Sequence, residues 1–298
     1  MSVYDGNILY GRWYRVIVGT GGGNGIDVSQ LQCTFNIEKV MNETPNYSEV
    51  VIYNLSAQTE NTFIDSGQRI IVEAGYEGNH YGLIFDGDII QPFREKIDGT
   101  TYKLTLVAQD GDLFLNSGVI NMSMGAGQTP RNIVNELTLR ASESVQLGSI
   151  SENLENKQRA RGKVAFGLAR DYLRQIARSD NAIFYVNNRT VEIVKPGDLP
   201  QGRIIDLSPQ TGLIGVPEQS DSGIKGKCLL NPFIDLNTFI HIDNSLVRAE
   251  KIQRDEPIKQ LDQDGVYRII KINHNGDTRG DAWYTEFVGV SRFADITA

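Results

Sequence analysis

Alternation of apolar and polar residues dominates the first hundred positions. Leu31, Cys33, Phe35 and Ile37 alternate with Gln32, Thr34, Asn36 and Glu38, the period of a strand with one buried face. Trp13 to Val18 reads similarly, and Glu49 to Asn54 predicts another strand. Ser56 then stands where a helix N-cap is expected, with a short helix running to Phe63 and closed by Gly67. Gln68 to Ala74 and Gly82 to Pro92 are again strand-like. Asp98-Gly99 is a turn signal, and Tyr102, Leu104, Leu106 and Ala108 form the returning strand.

The period changes after residue 109. Thr129-Pro130 is an N-cap followed by a first-turn proline, and Ile133, Val134, Leu137 and Ala141 recur at helical spacing. A second helix is predicted from Ala165, Leu168, Ala169, Tyr172, Leu173, Ile176 and Ala177, with Arg170, Arg174 and Arg178 spaced by four on its other face. Ala182 to Val186 and Thr190 to Lys195 flank Asn187-Asn188-Arg189 as a hairpin. From Arg203 strands return, at Lys225 to Leu230, Thr238 to Asp243, Gly265 to Asn273 and Trp283 to Val290.

The last segment parallels the first. Phe63-Ile64-Asp65 followed by Ile70-Ile71-Val72 matches Phe233-Ile234-Asp235 followed by Phe239 to Ile242, and each half ends in a strand, a polar hairpin and a strand. The expectation is a mainly β chain with an α+β insert: two similar β-barrel modules, 1–109 and 204–298, flanking a helical and hairpin domain at 110–203.

Composition narrows the function classes. The 298 residues are 40% hydrophobic and 22% charged, ordinary for a folded protein, and 30 glycines against nine prolines suit a turn-rich β fold. Twenty-nine basic against 37 acidic residues give a net charge of −8, which argues against gripping nucleic acid through a basic surface. No apolar run is long enough to span a membrane, and the first residues lack the pattern of a secretion signal. Cys33 and Cys228 lie in strand patterns and read as buried side chains.

Candidate chemistry is sparse. Gly19 to Gly25 is glycine-rich, but a strand rather than a helix follows, so it reads as a hairpin tip and not a phosphate cradle. Asp86-Gly87-Asp88 could place two carboxylates near a cation, though a bulge explains the glycine as well. His80, His241 and His274 are isolated, and Arg279-Gly280-Asp281 falls at a hairpin tip. No catalytic, metal or cofactor residue is assigned. Between Lys157 and Arg178, seven basic residues share the chain with one acid, Asp171; Arg170, Arg174 and Arg178 are therefore the candidate partner-contact surface. A wall hydrolase with paired carboxylates and a receptor-binding β protein stay open as alternative readings.

Several segments, in order, resemble a known family. Glu49 to Ser56 (EVVIYNLS), Gly67 to Tyr76 (GQRIIVEAGY), Ile84-Phe85-Asp86-Gly87 and Ala108 to Asp112 are similar to the N-terminal half of baseplate hub proteins of contractile-tailed bacteriophages. So are Thr211 to Leu230, Pro232 to Asn244 and Gly265 to Val290. The resemblance implies a homotrimer whose two barrels per chain make a pseudo-hexameric ring. Such a ring joins the hexameric tail tube to the trimeric central spike, contacts other baseplate proteins, and surrounds a channel for the tape-measure protein and for DNA, which passes without specific binding. It further implies a virion protein of the tail baseplate, assembled in the host cytoplasm, with no enzyme activity and no cofactor. The central helices and the loop from Arg248 to Asp264 are where contacts with spike or neighbouring proteins are expected.

Overall fold

The computed structural model describes residues 9–20, 24–141, 145–155, 158–198, 202–220, 223–247 and 264–291. Most strands belong to one 13-stranded sheet. Its first half contains Arg12–Thr20, Gly25–Asp27, Cys33–Val40, Asn46–Tyr53, Gly67–Tyr76, His80–Lys96 and Tyr102–Asp110. The period-2 pattern acts as expected: Cys33, Phe35 and Ile37 are buried, as are Val50 and Ile52 opposite them, and Leu104, Leu106 and Ala108 beyond. The helix Ala57–Ser66 starts where Ser56 Oγ accepts from Thr59 N at 3.1 Å, and it extends one turn past the predicted Phe63. Asp98 stabilises its turn by accepting from the N–H groups of Thr100 (2.8 Å) and Thr101 (2.7 Å).

The second half of the sheet is built from Ile205–Asp206, Leu213–Ser220, Gly223–Leu229, Phe239–His241, Val266–Asp277 and Trp283–Ser291. Its strand order repeats that of the first half. Cys33–Val40 and Asn46–Tyr53 pair as do Leu213–Ser220 and Gly223–Leu229; both pairs add to a returning strand, then to a long strand, then to Gly67–Tyr76 or Phe239–His241. The long-strand ladders share one irregularity. The register of His80–Lys96 on Tyr102–Asp110 shifts by one between Ile89 and Gln91, and that of Val266–Asp277 on Trp283–Ser291 shifts by one between Ile269 and Lys271. Each long strand thus carries an Ile-Ile pair at the same bulge, a feature that tends to be retained once built.

The two similar β modules share one sheet: Cys33–Val40 of the first half pairs with Val266–Asp277 of the second, from Thr34 opposite Asp277 to Val40 opposite Lys271. The edge that would close one half on itself is used to join the halves, and among the described pairings neither half closes. The second predicted helix begins later. Lys163–Leu168 is a strand paired with Val119–Met124, and the helix is Ala169–Arg178. Ala165 is buried while Val164 and Phe166 point outward, an alternation that fits a strand, and Gly167 at φ +129° stands one residue before its end.

The central α+β part holds the helices Asp112–Ser117, Pro130–Ala141 and Ala169–Arg178, plus a three-stranded sheet in the order Ile183–Asn187, Thr190–Val194, Gln146–Ile150. Thr129 Oγ1 accepts from Asn132 N at 3.2 Å, as its N-cap position predicts. Three hydrophobic cores result. One is made by the first half, one by residues between Phe114 and Ile193, and one by the second half together with Met41, Tyr185 and Val194. The first core also takes in Leu230 and Trp283 from the far end of the chain. Close packing there leaves no room for a side chain at Gly276, where a Cβ would run into the Phe35 ring.

Candidate assembly site

Three neighbouring strands of the first half carry their core-facing alternation one step too far. After Cys33, Phe35 and Ile37 comes Lys39; before Val50 and Ile52 come Asn46 and Ser48; after Leu104, Leu106 and Ala108 comes Asp110. All of these polar residues are buried. Asn46 lies opposite Asp110 in the ladder, and Lys39 follows Glu38, which is opposite Tyr47. The strands therefore end in a transverse row of polar groups below the first core.

The hairpin between Ile183–Asn187 and Thr190–Val194 docks on this row. Its turn residues Asn188 and Arg189 adopt positive φ of 49° and 61°, the two-residue geometry that matches strand twist. Lys39 Nζ donates to Asn187 Oδ1 at 2.9 Å, Asn188 Oδ1 at 3.1 Å and the Asp235 carboxylate at 3.2 Å. Asn46 Nδ2 donates to Val186 O at 2.8 Å. Arg189 N donates to Asp110 Oδ1 at 2.9 Å, and its guanidinium pairs with Asp88 and, at 3.3 Å, Asp86. Asp86 is held from the other side by Arg69 Nε at 2.7 Å. The carboxylates of Asp86-Gly87-Asp88 are thus ligands of guanidinium groups, and no cluster of three or more His, Cys, Asp or Glu suited to a metal ion occurs among the described residues.

A second tie lies deeper in the second half. Arg268 is buried and donates to Lys195 O at 2.9 Å and Asp198 O at 2.7 Å, with its guanidinium over the Phe239 ring. First half, central part and second half are consequently joined by buried charge-assisted hydrogen bonds, which fix geometry as well as adding stability.

Burial sets the protonation of this seam. Asp235 loses solvation, but Lys39, Asn187, the Leu236 N–H and His274 outweigh that and keep its carboxyl below the ordinary range. Burial, reinforced by Lys39, pushes His274 down to about 3, so its imidazole is neutral and shares a hydrogen bond with Thr285 Oγ1 at 2.8 Å. Asp110 goes the other way: burial pushes it up to about 7 despite the Arg189 N–H and Lys39, and its Oδ2 has no hydrogen-bond partner.

These opposite shifts give a pH signature. Between about pH 4 and 7 folded Asp110 holds a proton that the unfolded carboxyl, at 3.8, has released, so it adds stability as pH falls through that window. Unfolded His274, at 6.5, takes up a proton that the folded residue refuses down to about 3, so it removes stability as pH falls. The two trends offset each other in the wild type. Asp110→Asn keeps an acceptor for Arg189 N and removes only one of them: chemical-denaturation midpoints should show the variant gaining on the wild type at pH 8 relative to pH 5. A difference that does not change with pH would show that Asp110 is ionised throughout.

The structure separates the three arginines singled out in the sequence. Arg170 is half-buried and donates to Asn116 Oδ1 at 2.8 Å. Arg174 pairs with Asp171 at 3.1 Å and with Glu43 of the first half, so it ties the central part to the first half while a third of its side chain stays exposed. Arg178 is exposed. Of the surrounding basic stretch, Arg159 pairs with Asp180 at 2.6 Å, and Lys157 lies outside the described residues. Residues 248–263 of the expected contact loop, and 21–23 of the glycine cluster, also lie outside them. At the Arg279-Gly280-Asp281 turn, Arg12 donates to the carbonyls of Asp277, Gly280 and Asp281, which binds that turn to the first half. Lys39, Asn46, Asp110, Arg189 and Asp235 were not marked as special by the sequence reading, although polar residues in the core-facing phase of Cys33–Val40, Asn46–Tyr53 and Tyr102–Asp110 were a visible sign.

The opposite face of the sheet carries three cross-strand ion pairs. Lys103 pairs with Glu95 at 2.7 Å, Lys227 with Glu286 at 3.6 Å, and Lys271 with Glu38. Four-strand groups with this face exposed sit side by side across the joint made by Cys33–Val40 and Val266–Asp277.

Solved structures share this arrangement. A tail protein from Neisseria meningitidis matches at TM-score 0.57 and 13% identity, covering 95% of this chain and 97% of that one. The 43 kDa tail protein of prophage MuSo2 from Shewanella oneidensis matches at TM-score 0.58 and 9% identity, over 94% and 97%. The E. coli c3393 protein, a component of the type VI secretion system, matches at TM-score 0.52 and 11% identity, over 88% and 74%. At these identities the likeness is one of fold. No curated protein matches the chain in sequence. Residues 14–248, however, match the family described as Baseplate hub gp41. With most of its length inside that match and its fold shared with phage tail proteins, the chain belongs to the baseplate hub gp41 family of phage tail structural proteins.

Proposed function

We propose that this protein is the hub of a contractile-tail baseplate: a homotrimer in which two barrel-forming halves per chain, 1–109 and 204–298, build a pseudo-hexameric ring carrying the α+β part, 110–203. The ring joins the hexameric tail tube to the trimeric central spike and encloses the passage used by the tape-measure protein and DNA. The observation that carries this reading is the repeat of strand order and of the long-strand bulge between the halves. A chain with two equivalent surfaces can meet a sixfold partner as a trimer, and closed rings are the usual outcome of such repeated contacts.

The pairing of Lys103, Lys227 and Lys271 with glutamates on this sheet face supports its assignment to the passage wall, since a polyanion is held by unpaired basic groups. The role is structural and not catalytic: the buried Asp86 and Asp110 and the half-buried Asp88 are engaged with Arg69 and Arg189. Arg178 and residues 248–263 are the positions assigned to contacts with spike or neighbouring baseplate proteins. Assembly takes place in the host cytoplasm and the product resides in the virion tail.

Light scattering over a concentration series, followed by negative-stain imaging, tests the reading. A species of three chains that images as a ring is expected. A monomer at every concentration, with the spike protein present as well as absent, would overturn it.

A further inference from the structure

Outside the large sheet, Val119–Met124 and Lys163–Leu168 form a two-stranded ribbon whose edges are finished differently. At the edge of Lys163–Leu168, Phe166 N donates to the Tyr172 hydroxyl at 3.0 Å, and that hydroxyl donates to Phe166 O at 3.2 Å. A side chain thus occupies both polar groups that this edge would offer a further strand at its centre, one way a fold protects an edge from pairing. Beside the edge of Val119–Met124 no strand lies among the described residues.

The Tyr172 contact also fixes which groups face that open edge. Phe166 is opposite Asn121, and because both polar groups of Phe166 turn away from the ladder, this is a non-hydrogen-bonded pair. The N–H and C=O of Asn121 therefore point out of the ladder as well, and by alternation those of Ser123, opposite Val164, do the same. Ser123 and Met124 form one wall of a groove of about 450 Å³, and the helix Pro130–Ala141 forms the other with Asn132, Asn135, Glu136 and Arg140. The ribbon's outer face is apolar: Val119 is 62% exposed, and Val164 and Phe166 are each 74% exposed. A free strand edge bordering a groove is the arrangement that receives an extended chain, with backbone hydrogen bonds for affinity and alternate side chains for specificity.

We infer that the open edge of Val119–Met124 is a docking site for an extended segment of another baseplate protein, which adds to the ribbon as a third strand along the helix Pro130–Ala141. The inference rests on the family assignment and is independent of the ring. The backbone of the segment exchanges hydrogen bonds with Asn121 and Ser123. Its side chains point alternately to the two faces. On the groove side they meet Asn132, Asn135 and the Arg140–Glu136 pair, and on the other they extend the strip of Val119, Val164 and Phe166. The fitting segment alternates hydrogen-bonding with apolar residues. Charge selects it further: Arg161 is exposed and Lys163 half-buried at the Met124 end of the ribbon, within a stretch, 157–178, that holds seven basic residues and one acid. Carboxylates flanking the segment complement that end.

Amide hydrogen exchange, read by mass spectrometry on the isolated full chain and on baseplates taken from assembled tails, tests the site. In the isolated chain the Asn121 and Ser123 amides should exchange as open groups while those of Ile120 and Met122 are held by the ladder. In the baseplate the first two should slow by at least about tenfold, as new backbone hydrogen bonds require. Asn121→Pro removes an N–H that the ladder does not use, a position where an edge strand accepts proline, whereas Asn121→Ala keeps it. The proline variant, with an unfolding midpoint matching that of the alanine variant, is expected to drop out of baseplates or to appear there with a fast Ser123 amide; the alanine variant should behave as wild type. Ser123→Pro, read at Asn121, repeats the comparison if Asn121→Pro does not fold. Equal behaviour of the proline and alanine variants would overturn strand addition, as would amides that stay fast in the baseplate. Slowing already present in the isolated chain at every concentration would put a segment of the same chain on the edge, and slowing that tracks self-association would put a second copy there; either overturns the assignment to another protein.

Discussion

Replacing Trp283 by alanine will lower the unfolding free energy by about 3–5 kcal/mol, the range for truncating a large buried aromatic. Trp283 is 3% exposed and belongs to the first core although it stands in the last strand of the second half. Its ring meets Phe35 edge-on at 5.5 Å and Tyr14 at 6.1 Å, and Nε1 donates to Gly75 O at 3.2 Å. The substitution removes the aromatic volume and leaves the Gly75 carbonyl without that donor, so cavity and hydrogen-bond costs add. Urea unfolding followed by circular dichroism measures it. A loss below about 1 kcal/mol would mean that the two halves of the sheet hold together without this side chain. Phe287→Ala, in the core of the second half, serves as a comparison: it should cost a similar amount without touching the first core.

The second large effect is expected at Asp235. Lys39 is fully buried, and Asp235 is the carboxylate that compensates its charge. Asp235→Ala leaves an ammonium in the interior with only Asn187 and Asn188 as acceptors. The loss for a broken buried pair is about 3–5 kcal/mol, and the remaining amide oxygens together with the partial exposure of Asp235 place the expected value near the lower end. Lys39→Met with Asp235→Ala removes both charges and should recover part of the loss, because a vacant apolar site costs less than an unpaired charge. A double-mutant cycle on denaturation midpoints decides this. If the two single changes simply add, the pair contributes nothing as a pair.

Local signals explain how far the fold could be read from the chain. Alternation from Leu31 to Glu38 and from Tyr102 to Ala108, the Ser56 and Thr129 caps, and the Asn188-Arg189 turn all depend on residues close in sequence, and the structure reproduces them. Short strands were missed where neighbours dictate the conformation. Lys163–Leu168 has helix-compatible residues and becomes a strand because Val119–Met124 offers it a ladder. Leu213–Ser220 is broken by Gly215 and Pro217, which erase its period and interrupt its ladder between Ile214 and Glu218, while the pairs on either side of the break remain. The repeat was legible because Phe63-Ile64-Asp65 and Phe233-Ile234-Asp235 survive in both halves, and Ile89-Ile90 and Ile269-Ile270 fall at matching bulges.

The polar seam was legible only in retrospect. Lys39, Asn46 and Asp110 each continue a core-facing row, but a single polar residue at a strand end ordinarily turns toward water. Here a distant hairpin, 140 or more residues away from Lys39 and Asn46, supplies the partners, and no short-range pattern encodes that. Arg174 illustrates the converse: its spacing from Arg170 and Arg178 correctly separates it from the apolar helix face, while Glu43 across the fold decides that it is a tie.

The place of Trp283 in the first core also has a consequence for how the chain is made. Translation at about 5–20 residues per second puts Trp283 outside the ribosome on the order of tens of seconds after Phe35, the ring it packs against. Through that interval the early strands are finished but their core lacks its last wall, and the strand edge of Cys33–Val40 lacks the Val266–Asp277 partner that will cover it. The nascent chain thus displays an unsealed apolar cavity beside an open edge, and the step that seals both is the arrival of its final hairpin.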